Sequence, residues 1–177
     1  AIKSSLAKIS SPTLQAASTG ISRSITLESG TNCALFSGTF REPQLLSLLS
    51  NENIQWFLPR VTGIGSMTFH QVTSHCNLTI GKFGILEPLP SAPEIPPENL
   101  DTLICPGVAF SPSGIRLGQG GGYYDRYLAK TIKARLIGVA FDFQIQDKLP
   151  SGPHDIAMHE IISESRHLRL SNPGQQG

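Results

Sequence analysis

The chain has 177 residues, 39% hydrophobic and 15% charged, with 14 basic against 13 acidic side chains and a net charge of +1. That length suits one domain with a real core, and so even a balance gives no field able to hold nucleic acid or an anionic membrane by charge alone. Seventeen Gly and 13 Pro exceed the roughly 12 and 9 of average usage, so where they cluster carries information about backbone geometry.

Residues 1–27 hold no Asp or Glu but contain Lys3, Lys8, Arg23 and seven serines, the composition of an organelle transit peptide. Within that stretch Leu14, Ala17, Ile21 and Ile25 recur at helical spacing behind a candidate cap at Ser11 with Pro12 next to it, and an ordinary first helix is the expectation. Residues 31–36 (TNCALF) read as a buried strand closed by a turn at Ser37 and Gly38, and residues 43–49 carry a short helical pattern. A strand over 54–58 (IQWFL) is expected to stop at Pro59. Residues 67–72 alternate, with Met67, Phe69 and Gln71 on one side and Thr68, His70 and Val72 on the other. Residues 82–88 (KFGILEP) open a run containing Pro88, Pro90, Pro93, Pro96 and Pro97. Such density forbids helix and central strand, so an extended connector crossing within one domain is expected.

Residues 102–105 (TLIC) form an apolar strand, residues 123–133 a helix with Tyr124, Tyr127, Leu128 and Ile132 at helical spacing, residues 136–141 (LIGVAF) a buried strand, and 159–162 a last one. Apolar strands alternating with helices predict an α/β layer fold with a largely parallel sheet. The domain is expected to span 1–170, with 171–177 (SNPGQQG) as a disordered tail. No apolar run approaches the roughly 20 residues of a membrane span. Cys33, Cys76 and Cys105 are odd in number and widely spaced, which argues for free thiols in a reducing compartment rather than a disulfide or zinc framework.

Five glycines lie between Gly114 and Gly122, in the segment 110–128 (FSPSGIRLGQGGGYYDRYL), after an apolar strand and at the head of a helix. In an α/β sheet that junction leaves the carboxyl end of a strand, where backbone N–H groups and a helix N-terminus can converge on an anion. No Lys-Ser/Thr follows, so it is not a Walker loop, and Tyr123 stands where the last glycine of G-x-G-x-x-G would be. Positive charge then comes from Arg116. Asp125 suits either a helix cap or a magnesium ion bridging phosphates. Chemistry alone leaves a phosphate loop and a structural turn beneath the tyrosines both open.

The run RLGQGGGYYDRYL closely resembles the signature of the 5-formyltetrahydrofolate cyclo-ligase family, also called methenyltetrahydrofolate synthetases. LPRV from Leu58, FGILEP from Phe83, LICPGVAF before the glycines and LPSGPHD from Leu149 follow in family order, covering roughly residues 11–163. The resemblance implies a domain of the sugar-phosphate isomerase and CoA transferase kind, acting as a monomer in the cytoplasm, or in an organelle after a transit peptide is removed. It implies conversion of 5-formyltetrahydrofolate to 5,10-methenyltetrahydrofolate with ATP and Mg²⁺, releasing ADP and phosphate. ATP would touch Arg116, Leu117, Gly118, Gln119, Gly120, Gly121, Gly122, Tyr123 and Tyr124. Formyl-folate would meet Gln119 through Tyr123, with Thr39 and Arg60 as further contacts. Arg116 and Tyr123 would be catalytic, and Asp125 and Asp155 would bind the metal. His154 would orient its loop, while Tyr127 and Leu128 pack the helix.

The sequence departs from the family in three places. A basic K-x-x-L-R motif that touches ATP would end one position before Ala1, counting back from Ser11 and Pro12. The folate-contacting glutamate of a G-E-x-D-T-like run becomes Thr39 in the simplest register, unless a shorter loop brings Glu42 there. Ser111 and His159 stand where acidic residues are usual. These changes keep a rival in view, a family member that binds nucleotide or formyl-folate without turnover. A sugar-phosphate isomerase or CoA transferase relative rests on fold analogy alone.

Overall fold

The structure is a computed structural model, and it describes residues 10–153 and 155–170. The first described helix, α1 (Ser11–Ser24), begins one residue earlier than its sequence signals suggest, with Ser10 at the cap position and Pro12 in the first turn. Leu14 and Ala17 pack half-buried beside fully buried Ile21. Ser18 fastens this face by donating to the Leu14 carbonyl at 2.8 Å and accepting the Gln44 N–H at 3.0 Å.

Twelve strands follow among the described residues. In chain order they are β1 (Asn32–Ala34), β2 (Gln55–Gly63), β3 (Ser66–Val72), β4 (Leu78–Ile80), β5 (Leu86–Pro88) and β6 (Glu94–Ile95). Then come β7 (Thr102–Cys105), β8 (Ala109–Phe110), β9 (Arg116–Leu117), β10 (Arg135–Val139), β11 (Glu160–Ile162) and β12 (His167–Arg169), with a second helix α2 (Tyr123–Leu128) between β9 and β10. Eight strands make one sheet in the order β12-β11-β10-β7-β1-β2-β3-β6. The five from β11 to β2 are parallel, and the outer pairings with β12, β3 and β6 are antiparallel.

Period-two alternation splits the central strands between two cores. Ala34, Phe57, Leu103, Cys105 and Leu136 face one side, where Tyr127 and Leu128 of α2 cover them. Cys33, Leu35, Trp56, Leu58, Ile104, Ile137 and Val139 face the other, under Ile21 of α1 and Ile25 just beyond it. Apolar residues at both parities are what a sheet covered on two faces requires, as the apolar strands predicted.

Four expectations need correction. The strand begun at 54 does not stop at Pro59: β2 continues to Gly63, pairing Pro59 with Phe69 of β3. Its parallel neighbour β1 has already ended opposite Phe57, so Pro59 lies beyond the two-sided part of the strand, where a missing N–H is tolerated. The helix predicted over 123–133 ends at Leu128. Thr131 donates its hydroxyl to the Tyr127 and Leu128 carbonyls, closing the end, and Ile132 is 80% exposed. The proline-rich connector carries two short strands, β5 in a hairpin with β4 and β6 on the sheet edge. The strand expected over 159–162 is not the last, since β12 follows it and pairs with β11 antiparallel. The predicted tail, 171–177, and His154 lie outside the described residues.

Candidate functional site

Strand order reverses between β1 and β7: the chain moves outward from β1 to β2 and β3, then returns to β7 and proceeds through β10 to β11 on the other side. Loops leaving such a pair at their carboxyl ends diverge and open a crevice. A cleft of about 610 Å³ lies there, lined by Phe36 and Ser37 after β1 and by Pro106 and Gly107 after β7. Pro59, Val61 and Met67 from the β2–β3 pair, the 39–42 loop, the 82–87 segment and the glycine loop complete its walls.

The glycine loop is shaped by its backbone. Gly120 (φ +90) and Gly122 (φ +67) occupy the left-handed region, which other residues reach only at a cost. Gly122 is also the residue from which α2 starts. Arg126 ties the loop to the β2–β3 turn by donating to the carbonyls of Gly121 at 3.0 Å and Gly65 at 3.3 Å.

Arg116 enters the cleft from β9 with only 5% of its side chain exposed. One terminal nitrogen donates to Asp125 Oδ1 at 2.6 Å and the other to the Pro106 carbonyl at 3.1 Å. The guanidinium also stands 5.3 Å from the Tyr124 ring centre. Its Nε is buried with no acceptor among the described residues, leaving one charged donor unspent. Burial pushes the Tyr124 hydroxyl well above its usual range, with Cys105 and Glu42 adding to the effect. Below it, burial pushes the Cys105 thiol up to about 12, which makes Cys105 a packing group rather than a thiolate nucleophile.

Among the predicted contacts, Thr39, Arg116, Gly118, Gln119, Gly121, Gly122, Tyr123, Tyr124 and Asp125 line the cleft. Leu117 instead completes the β8–β9 pair, and Gly120 stands at the open tip of its loop. Arg60 reaches away to the Pro88 carbonyl at 2.8 Å and to Glu87 at 3.8 Å. Asp155, exposed, accepts the Gly152 N–H at 2.7 Å and does not line the cleft. Among the described residues no three His, Cys, Asp or Glu side chains gather as a metal cage. Tyr127 and Leu128 are buried packing residues, with Tyr127 4.7 Å from Phe69 ring to ring.

Glu42 is more deeply buried in the cleft wall than Thr39, which also lines the cleft. The Glu42 carboxylate is held there, with Oε2 accepting the Thr39 N–H at 2.8 Å and Oε1 accepting the Gln119 side chain at 3.2 Å. The turn over 39–42, closed by the Glu42 N–H on the Thr39 carbonyl, is what swings it inward. Ser111 closes its turn, its hydroxyl accepting the Ile115 N–H at 3.1 Å. His159 is structural, its Nδ1 accepting the Leu136 N–H at 2.8 Å. Phe40, Arg41, Lys82, Phe83 and Glu87 also line the cleft, although composition and spacing gave no signal for Phe40, Arg41 or Lys82. Phe83 carries a signal in hindsight: it heads the FGILEP run, and its φ of +66 is a strained value for an aromatic residue.

Chains with a glycine loop that feeds a helix at the switch point of a parallel sheet form a class of α/β enzymes acting on small molecules. The sequence profile of the 5-formyltetrahydrofolate cyclo-ligase family matches residues 5–164, and the chain belongs to that family of ligases. The 5-formyltetrahydrofolate cyclo-ligase of Escherichia coli (strain K12) is 32% identical over 136 residues, covering 74% of this chain and 75% of its own. That of Mycolicibacterium smegmatis is 38% identical over 95 residues, which span 51% of this chain and 48% of the relative, about half its length. The NMR structure of Aquifex aeolicus 5,10-methenyltetrahydrofolate synthetase has a TM-score of 0.83 and 30% identity, covering 99% of this chain and 94% of that one. The Mycoplasma pneumoniae 5,10-methenyltetrahydrofolate synthetase shares the fold, with a TM-score of 0.73 at 23% identity over 93% of this chain and 94% of that one.

Proposed function

We propose that this chain uses ATP to convert 5-formyltetrahydrofolate into 5,10-methenyltetrahydrofolate, ADP and phosphate. The observation that carries the reading is Arg116: a buried guanidinium with an unspent donor, set beside a glycine loop at the switch point. A formamide oxygen is a poor leaving group. It attacks the γ-phosphorus of ATP, the bond to ADP breaks, and the formyl carbon becomes an imino-phosphate. N10 then attacks that carbon and gives its proton to solvent, and the C–O bond breaks to release phosphate. Both steps gather negative charge on phosphoryl oxygens, so positioned donors matter more than a covalent nucleophile.

The loop from Gly118 to Gly122 is the candidate phosphate cradle, and its glycines leave room for backbone approach. Arg116 neutralises the transferred group, Tyr123 orients the formylated ring, and Glu42 rather than Thr39 accepts ring N–H groups. Arg60 acts through Glu87, holding that carboxylate in the wall. Asp125 fits a magnesium ion, since one of its oxygens is not engaged by Arg116 and Mg²⁺ takes one or two carboxylates beside substrate phosphates. Asp155, named as a second ligand by the family resemblance, is exposed and engaged by the Gly152 N–H outside the cleft lining, so Asp125 alone among the described residues is proposed to hold the ion. The ion would offset phosphate charge.

Three free thiols suit a reducing compartment, the cytoplasm or an organelle's interior. Among the described residues no helix is long and apolar enough to cross a membrane.

The test is ATP- and Mg²⁺-dependent appearance of the methenyl product, read by its near-ultraviolet absorbance in acid. Failure to form product would sink the reading. One observation favours the rival of binding without turnover: Asp155 does not line the cleft. That rival predicts bound nucleotide and formyl-folate with no release of ADP.

A further inference from the structure

Charged groups in the cleft fall into two sets. Glu42 is held by the Thr39 N–H and Gln119, Glu87 by the Val61 N–H and Arg60, and Arg116 and Asp125 by each other. Arg41 and Lys82 differ: both line the cleft, both are exposed, and among the described residues neither has a carboxylate within ion-pair reach.

Both cations are nevertheless oriented. The Arg41 guanidinium sits 4.9 Å from the centre of the Phe40 ring and the Lys82 ammonium 5.5 Å from that of Phe83. Such placement restrains a long side chain through the ring's quadrupole. The rings are themselves exposed, Phe40 at 75% and Phe83 at 66%, where burial gives no reason for an aromatic. Phe83 is moreover the one described non-glycine residue with positive φ. A bulky side chain held there costs of order 1–3 kcal/mol. Two separate segments of the cleft thus present the same device, an exposed aromatic carrying an unpaired cation.

We infer that Arg41 and Lys82 recognise the glutamate carboxylates at the tail of the folate substrate and set a preference for substrates that carry them. This rests on the proposed ligase reading and adds a specificity determinant to it. Buried Glu42 suits the N–H groups of the reduced ring, the exposed aromatics suit the aminobenzoyl ring, and the exposed cations suit the carboxylates. The triphosphate of ATP is the competing anion, and its needs are met by the glycine loop and Arg116.

The test compares 5-formyltetrahydrofolate with 5-formyltetrahydropteroate, which lacks the glutamate, in the unaltered chain, in Arg41→Gln, Lys82→Gln and the double variant, and in Lys82→Arg. The readouts are kcat/KM and calorimetric Kd for each compound, and KM for ATP. The unaltered chain should favour the glutamate form about tenfold or more. Each single neutral variant should lower that ratio by about three- to fivefold, the range of a partly exposed ion pair. The double variant should bring it near one, Lys82→Arg should restore it, and 0.5 M salt should shrink it. An unchanged ratio in the double variant overturns the inference. A raised KM for ATP with the ratio intact also overturns it, by assigning the cations to the triphosphate. If neither compound forms product, the ligase reading fails while the ratio of the two Kd values still decides this inference. If neither compound binds, both fail.

Discussion

Arg116 can be buried because three neighbours share its charge: the Asp125 carboxylate, the Pro106 carbonyl and the face of Tyr124. Only a planar fork reaches all three while leaving Nε over, so Arg116→Lys keeps the charge and loses the arrangement. We expect kcat/KM to fall about 100-fold or more, the scale of a lost charge-stabilising donor, with circular dichroism unchanged. Activity within threefold of the parent would show that the fork is not used on the reacting phosphate. Glu42 and Thr39 invite a paired comparison. Glu42→Gln preserves shape and keeps an acceptor for the Thr39 N–H, but weakens acceptance of ring N–H groups. KM for formyl-folate should therefore rise about tenfold with little change in thermal stability. Thr39→Val keeps the backbone bonds that close the turn and gives up only the long 3.4 Å acceptance of the Arg41 N–H by its hydroxyl, so it should leave KM almost unaltered. The opposite ranking would restore Thr39 as the contact residue. Sequence order alone pointed to Thr39, because it assumes a fixed loop length. What favours Glu42 in the proposed reading is the turn at 39–42, a hydrogen-bonding fact that no single residue type announces.

At the scale of elements, two glycines separate packing from conformation. Gly20 lies inside α1 with open space where a Cβ would stand, so Gly20→Ala removes only backbone entropy from the unfolded chain. It should stabilise by about 0.5–1 kcal/mol in urea unfolding. Gly120 also has open space around it, yet its φ of +90 is one that side chains resist. Gly120→Val should distort the loop at a cost of about 1–2 kcal/mol and weaken nucleotide binding in calorimetry. Unchanged nucleotide affinity would mean that the loop does not hold phosphate. The same physics decides which elements were legible. Strands β7 and β10 stood out because residues buried on both faces must be apolar throughout, and the glycine loop because its backbone needs Gly by residue type. Strand β12 was hidden: three residues, His167, Leu168 and Arg169, with only Leu168 facing a core. The end of α2 was hidden too, since Ile132 continues the helical pattern while Thr131 stops the backbone. Pro59 misled because a residue rule was applied without its neighbour: the proline is harmless where β1 has already ended.

Over the whole molecule, the cleft depends on the alignment of the parallel strands beneath it, and acid should attack that alignment from the far edge of the sheet. Glu160 on β11 is buried. Burial alone would raise its carboxyl, but hydrogen bonds from His167 and Arg135, and their charges, hold it below the usual 4.5. Through Arg135, which also donates to the Thr26 carbonyl at 2.9 Å, this pair links β10, β11 and the chain just after α1. Asp142, beyond β10, is likewise held below 3.8: burial pushes it up, and the Ser163 and Ser165 hydroxyls outweigh that. For both acids the folded state binds its proton less readily than the unfolded chain. Their stabilisation is therefore complete above about pH 4.5 and is lost as pH falls through the lowered folded values. His159 shifts for another reason. Burial lowers it from 6.5, and its Nδ1 must stay unprotonated to accept the Leu136 N–H. Its contribution is whole above about pH 6.5 and begins to fail below it. Urea midpoints should accordingly be level near pH 7.5, decline from about pH 6.5, and decline again below about pH 4.5. His159→Asn, which keeps an acceptor for the strand N–H and cannot charge, should remove the first decline. Glu160→Gln should lower the plateau, because Arg135 loses its charge partner, and flatten the second decline. An acid limb that stays steep in Glu160→Gln would place the sensitive carboxylates elsewhere in the fold.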